Sequence, residues 1–363
     1  MRRAGNGIMW RLTLPVGSSL IIVLLGTVVP EAVAAELPRV RLITTGGTIS
    51  NRPGDRLSPD ELVASVPDLD KFVEAETEEF SNVSSNALTL DQWRRLSRRI
   101  NSVLSGDPEL AGVVVTSGTD TLEELAFFLH LTVRHERPVV VVGSMRRPET
   151  LGYDGAANLL QAFRVAGAPA SQGRGVLVAL NDEINSAREV TKTDAFHLQT
   201  FETRGYGVLG VAARDKIVYY RSVERRHTAA SEFNVFQIER LPRVDIVMTY
   251  QGASGDLVRA SVDNGAKGIV IAGAGVGATS AGQRDAIAYA GEHNVFVVVT
   301  TRTGSGRIAP PDPTLDSAAP DEQLARLRIS GEDLAPVKAR ILLMLALTVT
   351  DQGNDIQRMF GEY

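Results

Sequence analysis

Short apolar runs alternate with amphipathic stretches along most of the chain. In the first half, the runs with the length of buried strands are residues 40–43, 113–115, 139–142 and 176–180. Residues 139–142 are four consecutive valines, which is typical of a parallel strand covered on both faces. Residues 121–134 place apolar side chains at helical spacing. This alternation predicts an open, mostly parallel sheet with helices on both faces.

A second set of strand-like and helix-like segments follows a polar stretch. Residues 221–243 are charged and lack clear periodicity, so we interpret them as a linker between two domains. The segments predicted beyond it are strands at 244–249, 268–271 and 295–300 and helices at 281–292 and 336–350. The fold class predicted is therefore α/β, with a larger N-terminal domain over residues 36–220 and a smaller C-terminal domain over 244–363.

The first 35 residues have the pattern of an export signal. Three arginines within the first 11 residues precede an apolar run, whose strongest part, residues 20–29, is too short to span a bilayer comfortably. Small residues at 32–35 resemble a cleavage site. We predict a cleaved signal peptide over residues 1–35 and a periplasmic or secreted mature protein. An uncleaved membrane anchor or a buried first helix is the alternative.

Composition narrows the classes of function. The chain is 44% hydrophobic and 22% charged, as in ordinary soluble domains, and its net charge of −5 becomes more negative without the arginine-rich signal. An acidic mature protein is a poor partner for nucleic acid or an anionic membrane. The sequence has no cysteine, and its five histidines lack metal-ligand spacing. These features argue against disulfides, thiolate chemistry and a metal site.

Two loops rich in hydroxyl groups and glycine directly follow predicted strands. One spans residues 44–49 and reads TTGGTI, and the other spans residues 116–121 and reads TSGTDT. Ligands of open α/β sheets bind at the carboxyl ends of strands, where such loops can offer hydroxyls and backbone N–H groups to an oxyanion. A tight turn and a helix cap are the structural alternatives. For the second loop, Thr121 and Glu124 fit a capping box.

A third polar motif surrounds Lys192, which stands between Thr191 and Thr193. A lysine beside hydroxyl groups can act as a base when desolvation and its neighbours lower its pKa. The alternative is a lysine on the solvated surface.

Together, these motifs resemble the bacterial L-asparaginases in order and spacing over essentially the whole chain after the signal. The matching segments are TTGGTIS, TSGTDTLEE, VVGSMRRPE, GYDGAANL, REVTKT, GIVIAGAGVG, TTRTGSG and KARILLMLALTVT. The resemblance implies hydrolysis of L-asparagine to L-aspartate and ammonia, with L-glutamine as a side substrate. It also implies a homotetramer built as a dimer of dimers, in which each site is completed by a partner subunit, and it implies neither a metal nor an organic cofactor.

The resemblance assigns the catalytic roles to four residues. Thr45 in the first motif corresponds to the nucleophile of the family. Thr119 in the second motif corresponds to a threonine that works with a lysine, which is matched here by Lys192. Asp120 corresponds to the aspartate that holds the α-amino group of the substrate.

Further residues correspond to positions that contact the substrate in the family. Ser85 and Asn86 match the pair that binds the α-carboxylate, and Ser144 lies in a loop that lines the site. An acidic residue from the partner subunit reaches the substrate amine in the family. Asp312 is our choice for this residue, with Asp321 and Glu322 as alternatives.

The sequence also departs from the family pattern. The lid, residues 50–58, is short and lacks the tyrosine that many members carry there. Gly252 stands at the apparent match of an asparagine that reaches the neighbouring site, and Ser117 replaces a common histidine. These departures leave two alternatives open. One is a glutaminase-asparaginase or another amide hydrolase, and the other is an exported amino-acid-binding protein with little turnover.

Overall fold

The computed structural model describes residues 36–310 and 327–363. The predicted signal peptide and Asp312, with its alternatives Asp321 and Glu322, lie outside these residues. No helix within the described ranges is both long and apolar enough to span a membrane.

Strands and α-helices largely alternate up to residue 180 and again from residue 244, with consecutive strands between these two parts. The strands are β1 Arg39–Gly46, β2 Asn51–Arg52, β3 Asp55–Arg56, β4 Glu74–Val83, β5 Leu110–Thr116, β6 Val139–Val142, β7 Val176–Leu180, β8 Glu183–Ser186, β9 Thr191–Lys192, β10 Phe201–Glu202, β11 Gly210–Ala212, β12 Ile217–Tyr219, β13 Val244–Met248, β14 Gly268–Gly273, β15 Phe296–Thr301 and β16 Arg328–Ser330. The helices are α1 Pro59–Ala64, α2 Leu90–Gly106, α3 Leu122–Thr132, α4 Gly155–Gly167, α5 Asp256–Asp263, α6 Ala281–Glu292, α7 Pro336–Ala346 and α8 Gly353–Glu362.

Two larger sheets organise the molecule. The first has eight strands in the order β12-β11-β8-β7-β6-β5-β1-β4. From β7 to β4 all neighbours are parallel, whereas β8, β11 and β12 pair antiparallel at the other end. The second sheet has four parallel strands in the order β13-β14-β15-β16. The predicted α/β class, with a larger N-terminal sheet and a smaller C-terminal one, is confirmed.

The four valines of β6 show why the central strands are so apolar. Val139 and Val141 pack into a core cluster that includes α2 and α3. Val140 and Val142 point to the opposite face and pack against α4. All four are fully buried, and burying such a side chain contributes about 1.5–3 kcal/mol. Both faces of the sheet are therefore covered, as the valine run predicted.

The predicted linker packs against the rest of the protein. Phe233 within it is fully buried, and Arg98 on α2 donates to the carbonyls of Val235 and Ile238. Residues Leu37–Tyr363 form one compact unit. The domain boundaries drawn from the sequence remain predictions.

One local prediction is wrong. Thr121 is the N-cap residue that precedes α3, but its side chain makes no capping hydrogen bond, so the expected capping box is absent. The φ and ψ of Thr121 are −127° and 18°, which differ from the extended backbone of a capping residue. Ser58, Thr89 and Ser280 have that extended backbone and form complete capping boxes.

Candidate active site

The first polar loop begins at the carboxyl end of β1, where Thr45 is buried against β5. Its amide donates to Thr116 Oγ1 at 3.1 Å, and its hydroxyl donates to the Thr116 carbonyl at 2.7 Å. Its own carbonyl accepts a hydrogen bond from Ser81 on β4. Thr45 is therefore fixed between the two strands that flank β1, and its hydroxyl oxygen keeps its lone pairs.

Three loops meet around this threonine because glycines allow a very close approach. Gly46 and Gly47 have φ values of 100° and 93°, a region that L-residues with side chains rarely adopt. A Cβ on Gly47 would lie 2.4 Å from the amide nitrogen of Gly118, and a Cβ on Gly118 would lie 2.8 Å from Ser85 Oγ. The loops after β1, β5 and β4 are thus nested together, and Ser85 is brought to the site.

Lys192 joins the second and third motifs. Its Nζ donates to Thr119 Oγ1 at 3.1 Å and to Asp120 Oδ1 at 3.0 Å. The Lys192 side chain is 16% exposed, whereas the Asp120 carboxylate is 74% exposed and free to receive a cationic group. The three residues grouped by the sequence are therefore in direct contact, and Lys192 is not a solvated surface lysine.

The resemblance assigns catalytic roles to the hydroxyls of Thr45 and Thr119. These two hydroxyls belong to separate hydrogen-bond networks. The hydroxyl of Thr45 is directed at a β5 carbonyl, while that of Thr119 accepts from Lys192. Within the described ranges no direct hydrogen bond joins the two threonines.

The remaining substrate-contact candidates differ in accessibility. Asn86 is exposed in a short 3-10 turn that begins with the buried Ser85. Ser144 is fully buried, and its hydroxyl donates to the Arg146 carbonyl at 2.7 Å. The Asp154 carboxylate fixes this loop by accepting hydrogen bonds from the backbone amides of Met145 and Arg146. Ser144 thus shapes its loop through an internal hydrogen bond.

The short lid is a hairpin formed by β2 and β3. Arg52 contacts Glu61 at 3.2 Å, on the side of α1. Arg56 donates to the carbonyl of Gly47 at 3.3 Å and lies near the carbonyl of Val83. The Arg56 guanidinium therefore connects the lid to the glycine loop. The lid itself has no tyrosine.

Two charged residues behind Lys192 were missed by sequence reasoning. Glu123 accepts hydrogen bonds from the hydroxyl of Thr191 and from the amide of Lys192. Lys338 on α7 donates to the carbonyls of Arg188 and Val190, just before β9. The signal for Glu123 was its place in the TSGTDTLEE motif, and that for Lys338 was its place at the start of the KARILLMLALTVT segment.

The arrangement combines a buried hydroxyl, a lysine paired with a second hydroxyl, an exposed carboxylate and glycine-rich backbone. These groups suit acyl transfer with a hydroxyl nucleophile. In the ranges 36–310 and 327–363, no group of three or more His, Cys, Asp or Glu side chains is placed to hold a metal ion.

Family models match both halves of the chain. One, described as "Asparaginase, N-terminal", covers residues 39–225, and another, "Glutaminase/Asparaginase C-terminal domain", covers residues 243–360. The chain therefore belongs to the asparaginase family of amidohydrolases.

Individual relatives extend over nearly the whole chain. "L-asparaginase 2" of Bacillus subtilis is 40% identical over 90% of this chain and 87% of its own length. "Probable L-asparaginase periplasmic" of Haemophilus influenzae is 37% identical over 94% of this chain and 97% of its own. The crystal structure of a "Probable Cytoplasmic L-asparaginase" from Campylobacter jejuni superposes with a TM-score of 0.83 at 36% identity, covering 90% of this chain and 100% of that one.

Proposed function

We propose that the protein is an L-asparaginase that hydrolyses L-asparagine to L-aspartate and ammonia with Thr45 as its nucleophile. Family membership supports the reaction class. The observation that carries the choice of catalytic groups is the bridge from Lys192 Nζ to Thr119 and Asp120, beside the buried hydroxyl of Thr45.

In the proposed reaction, Thr45 Oγ1 attacks the side-chain amide carbonyl and forms an ester as the C–N bond breaks. The proton of the Thr45 hydroxyl passes through Thr119 and Lys192 to the leaving nitrogen, which departs as ammonia. Backbone N–H groups of the glycine loops stabilise the oxyanion. Water then attacks the ester, which releases L-aspartate and restores the Thr45 hydroxyl.

The substrate is held by its two other charged groups. The exposed carboxylate of Asp120 pairs with the α-ammonium, and Ser85 and Asn86 bind the α-carboxylate. In the homotetramer that we propose, Asp312 of the partner subunit contacts the ammonium. Ser144 supports the loop next to Thr119, since a Cβ on Gly143 would lie 3.3 Å from Thr119 Cγ2. This scheme uses no cofactor.

Ammonia release by the mature protein, starting at Glu36, tests the proposal with L-asparagine and L-glutamine in parallel. Thr45→Ala should abolish release while calorimetry still detects L-asparagine binding. Thr48→Ala, a substitution in the same motif, serves as the matched control and should keep the parent rate. Thr45→Ala releasing ammonia as fast as the parent would disprove the mechanism.

The second candidate is a glutaminase-asparaginase. The lid favours it, because a short hairpin without tyrosine leaves more room for a substrate one methylene longer. Comparable kcat/KM values for the two amides would establish this specificity. A folded protein that binds either amino acid and releases no ammonia would instead be a binding protein.

We also propose that the chain is exported with residues 1–35 as its signal. Its relatives carry both periplasmic and cytoplasmic names, so fractionation of cells that express the full chain decides between the two locations. Export predicts a mature N-terminus at residue 35 or 36 outside the cytoplasm. An intact Met1 in the cytoplasmic fraction would contradict it.

A further inference from the structure

One short segment of chain contacts both the side-chain ammonium and the backbone amide of Lys192. Its Nζ contacts Thr119 and Asp120, and its backbone amide donates to Oε1 of Glu123, at 3.2 Å. The same carboxylate oxygen accepts the Thr191 hydroxyl at 3.0 Å. Residues 119–123 thus hold both the reacting end of the lysine and the backbone from which it extends.

The second oxygen of Glu123 faces a buried cation. Glu123 Oε2 is buried and accepts no hydrogen bond from any described residue, and Lys338 Nζ lies 4.0 Å from it. Lys338 is 2% exposed and donates to the carbonyl of Arg188 at 2.9 Å and to that of Val190. Lys338 therefore holds the segment that leads to Lys192 through two backbone carbonyls, and Glu123 holds it through the Lys192 amide and the Thr191 side-chain hydroxyl.

We infer that Glu123 and Lys338 form an ion pair that positions Lys192 Nζ against Thr119 and Asp120. The inference rests on the proposed function, because it concerns a lysine that takes part in the proton relay. Neither residue of the pair touches the reacting atoms. Both act through Lys192 and are positioning residues.

Two physical arguments support a positioning role. Lysine has four rotatable side-chain bonds, so its ammonium is placed only as well as its backbone, and a 1 Å misplacement in a catalytic site can cost about 100-fold in rate. Leaving a charge unpaired in the interior is also costly, so each member of the pair depends on the other. Burial lowers the pKa of Lys338 to about 8, and the Glu123 carboxylate opposes this shift.

The test compares Glu123→Ala and Glu123→Gln with Glu124→Gln. Glu124 lies in the same helical turn, and its carboxylate interacts with Arg340 instead of the Lys192 backbone. We expect Glu123→Ala to lower kcat about 10- to 100-fold, with KM within about threefold, because the groups that bind the substrate remain. Glu123→Gln keeps an oxygen acceptor for Thr191 and Lys192 but loses the charge that faces Lys338, so its kcat should lie between those of Glu123→Ala and the parent. Glu124→Gln should match the parent.

A second measurement reads the position of Lys192 without catalysis. The sequence has five lysines, so NMR of protein labelled at the lysine side chains gives few signals, and Lys192→Arg identifies the one from Lys192. Glu123→Ala should move that signal, and Glu124→Gln should not. If the parent releases no ammonia, the proposed function fails, while the NMR comparison still decides the positioning role.

Several outcomes would overturn the inference. One is a folded Glu123→Ala protein with the parent kcat. Another is a Lys192 signal that does not move in that protein. If Glu123→Ala does not fold, Glu123→Gln decides, since it should fold and shift the Lys192 signal by losing the charge. A Glu123→Gln spectrum identical to that of the parent would then refute the role of the ion pair.

Discussion

Thr45 and Thr116 exchange two hydrogen bonds across neighbouring strands. The Thr116 hydroxyl accepts the Thr45 amide at 3.1 Å, and the Thr116 carbonyl accepts the Thr45 hydroxyl at 2.7 Å. The backbone of the proposed nucleophile is thereby fixed, and its hydroxyl proton is donated to the Thr116 carbonyl and not to Thr119. For the proposed reaction the Thr45 hydroxyl must rotate, so that its proton can leave toward the Thr119–Lys192 pair.

Removing the Thr116 hydroxyl should weaken both the fold and the reaction. Thr116→Val keeps the shape but leaves the buried Thr45 amide without its acceptor, which costs about 1–3 kcal/mol. We expect a lower free energy of unfolding in urea and a lower kcat. Thr116→Ser keeps the hydroxyl and should lie close to the parent in both measurements. Equal stability of the valine and serine variants would contradict this role.

The nested glycine loops make Gly47 sensitive to any side chain. Gly47→Ala would place a Cβ 2.4 Å from the amide nitrogen of Gly118, so the loop that carries Thr119 must move. Gly54 in the lid also has a positive φ, of 82°, but a Cβ there meets nothing within 4 Å. We expect Gly47→Ala to lose at least about 100-fold in kcat/KM, because small displacements in a catalytic site have such effects.

Gly54→Ala is the control for this prediction. It pays only the strain of a left-handed backbone, about 1–2 kcal/mol, and should keep most of the activity. Similar ammonia release by the two variants would show that backbone strain, and not the collision between loops, limits substitution at Gly47.

The ion pair between Arg188 and Asp333 should contribute strongly to stability. The two side chains are 3% and 11% exposed and meet at 2.7 Å. Asp333→Asn leaves the buried guanidinium without its counter-charge, and we expect a loss of about 3–5 kcal/mol in urea unfolding. Asp68→Asn removes an exposed partner of Lys71 and should change stability by less than about 1 kcal/mol. Equal effects at the two sites would contradict this prediction.

The contribution of this ion pair to stability should depend on pH, and the direction follows from the shifted pKa of Asp333. Burial alone raises the pKa of Asp333, but the hydrogen bonds and charge of Arg188 outweigh it and hold that pKa well below its ordinary value. Because the pKa is lowered by folding, the stabilisation is complete above the ordinary aspartate pKa, near 4, and is lost as the pH falls further. Asp333→Asn should therefore flatten the dependence of stability on pH only below about pH 4.

The buried His130 should cause a second loss of stability, at a higher pH than the loss caused by Asp333. Burial, followed by the nearby His227 and other cations, lowers the pKa of His130 well below 6.5. The unfolded chain then binds a proton more readily, so stability falls as the pH drops below about 6.5. His130→Asn keeps an acceptor for the Val176 amide and should flatten this part of a plot of Tm against pH. The exposed His293→Asn should not, and an unchanged slope in His130→Asn would disprove the assignment.

Periodicity predicted the strands whose two faces are both covered, because there every residue is apolar. It missed β4, whose sequence EAETEEFSNV is polar because this strand forms the edge of the sheet. It placed a capping box at Thr121 from residue types alone, although capping also requires extended backbone at that position. Local patterns therefore identify buried central strands better than sheet edges or helix ends.

The candidate site, like the fold, was predicted from the sequence only in part. The hydroxyl-rich motifs around Thr45, Thr119 and Lys192 are each visible in a few consecutive residues, and the resemblance to the asparaginases then assigned a role to each residue. The groups behind Lys192 depend on tertiary contacts. Glu123 meets Thr191 68 residues further along the chain, and Lys338 meets the Arg188 carbonyl across 150 residues. No local pattern records such pairs.

The hydrogen bonds of Lys338 also bear on the timing of activity during biosynthesis. A nascent chain that has emerged as far as residue 225 already contains Thr45, Thr119, Asp120 and Lys192. It has no donor for the carbonyls of Arg188 and Val190 until α7 is made and folds back. The backbone that leads to Lys192 is therefore held in full only in the completed molecule, so we expect asparagine hydrolysis to begin only after α7 has folded back.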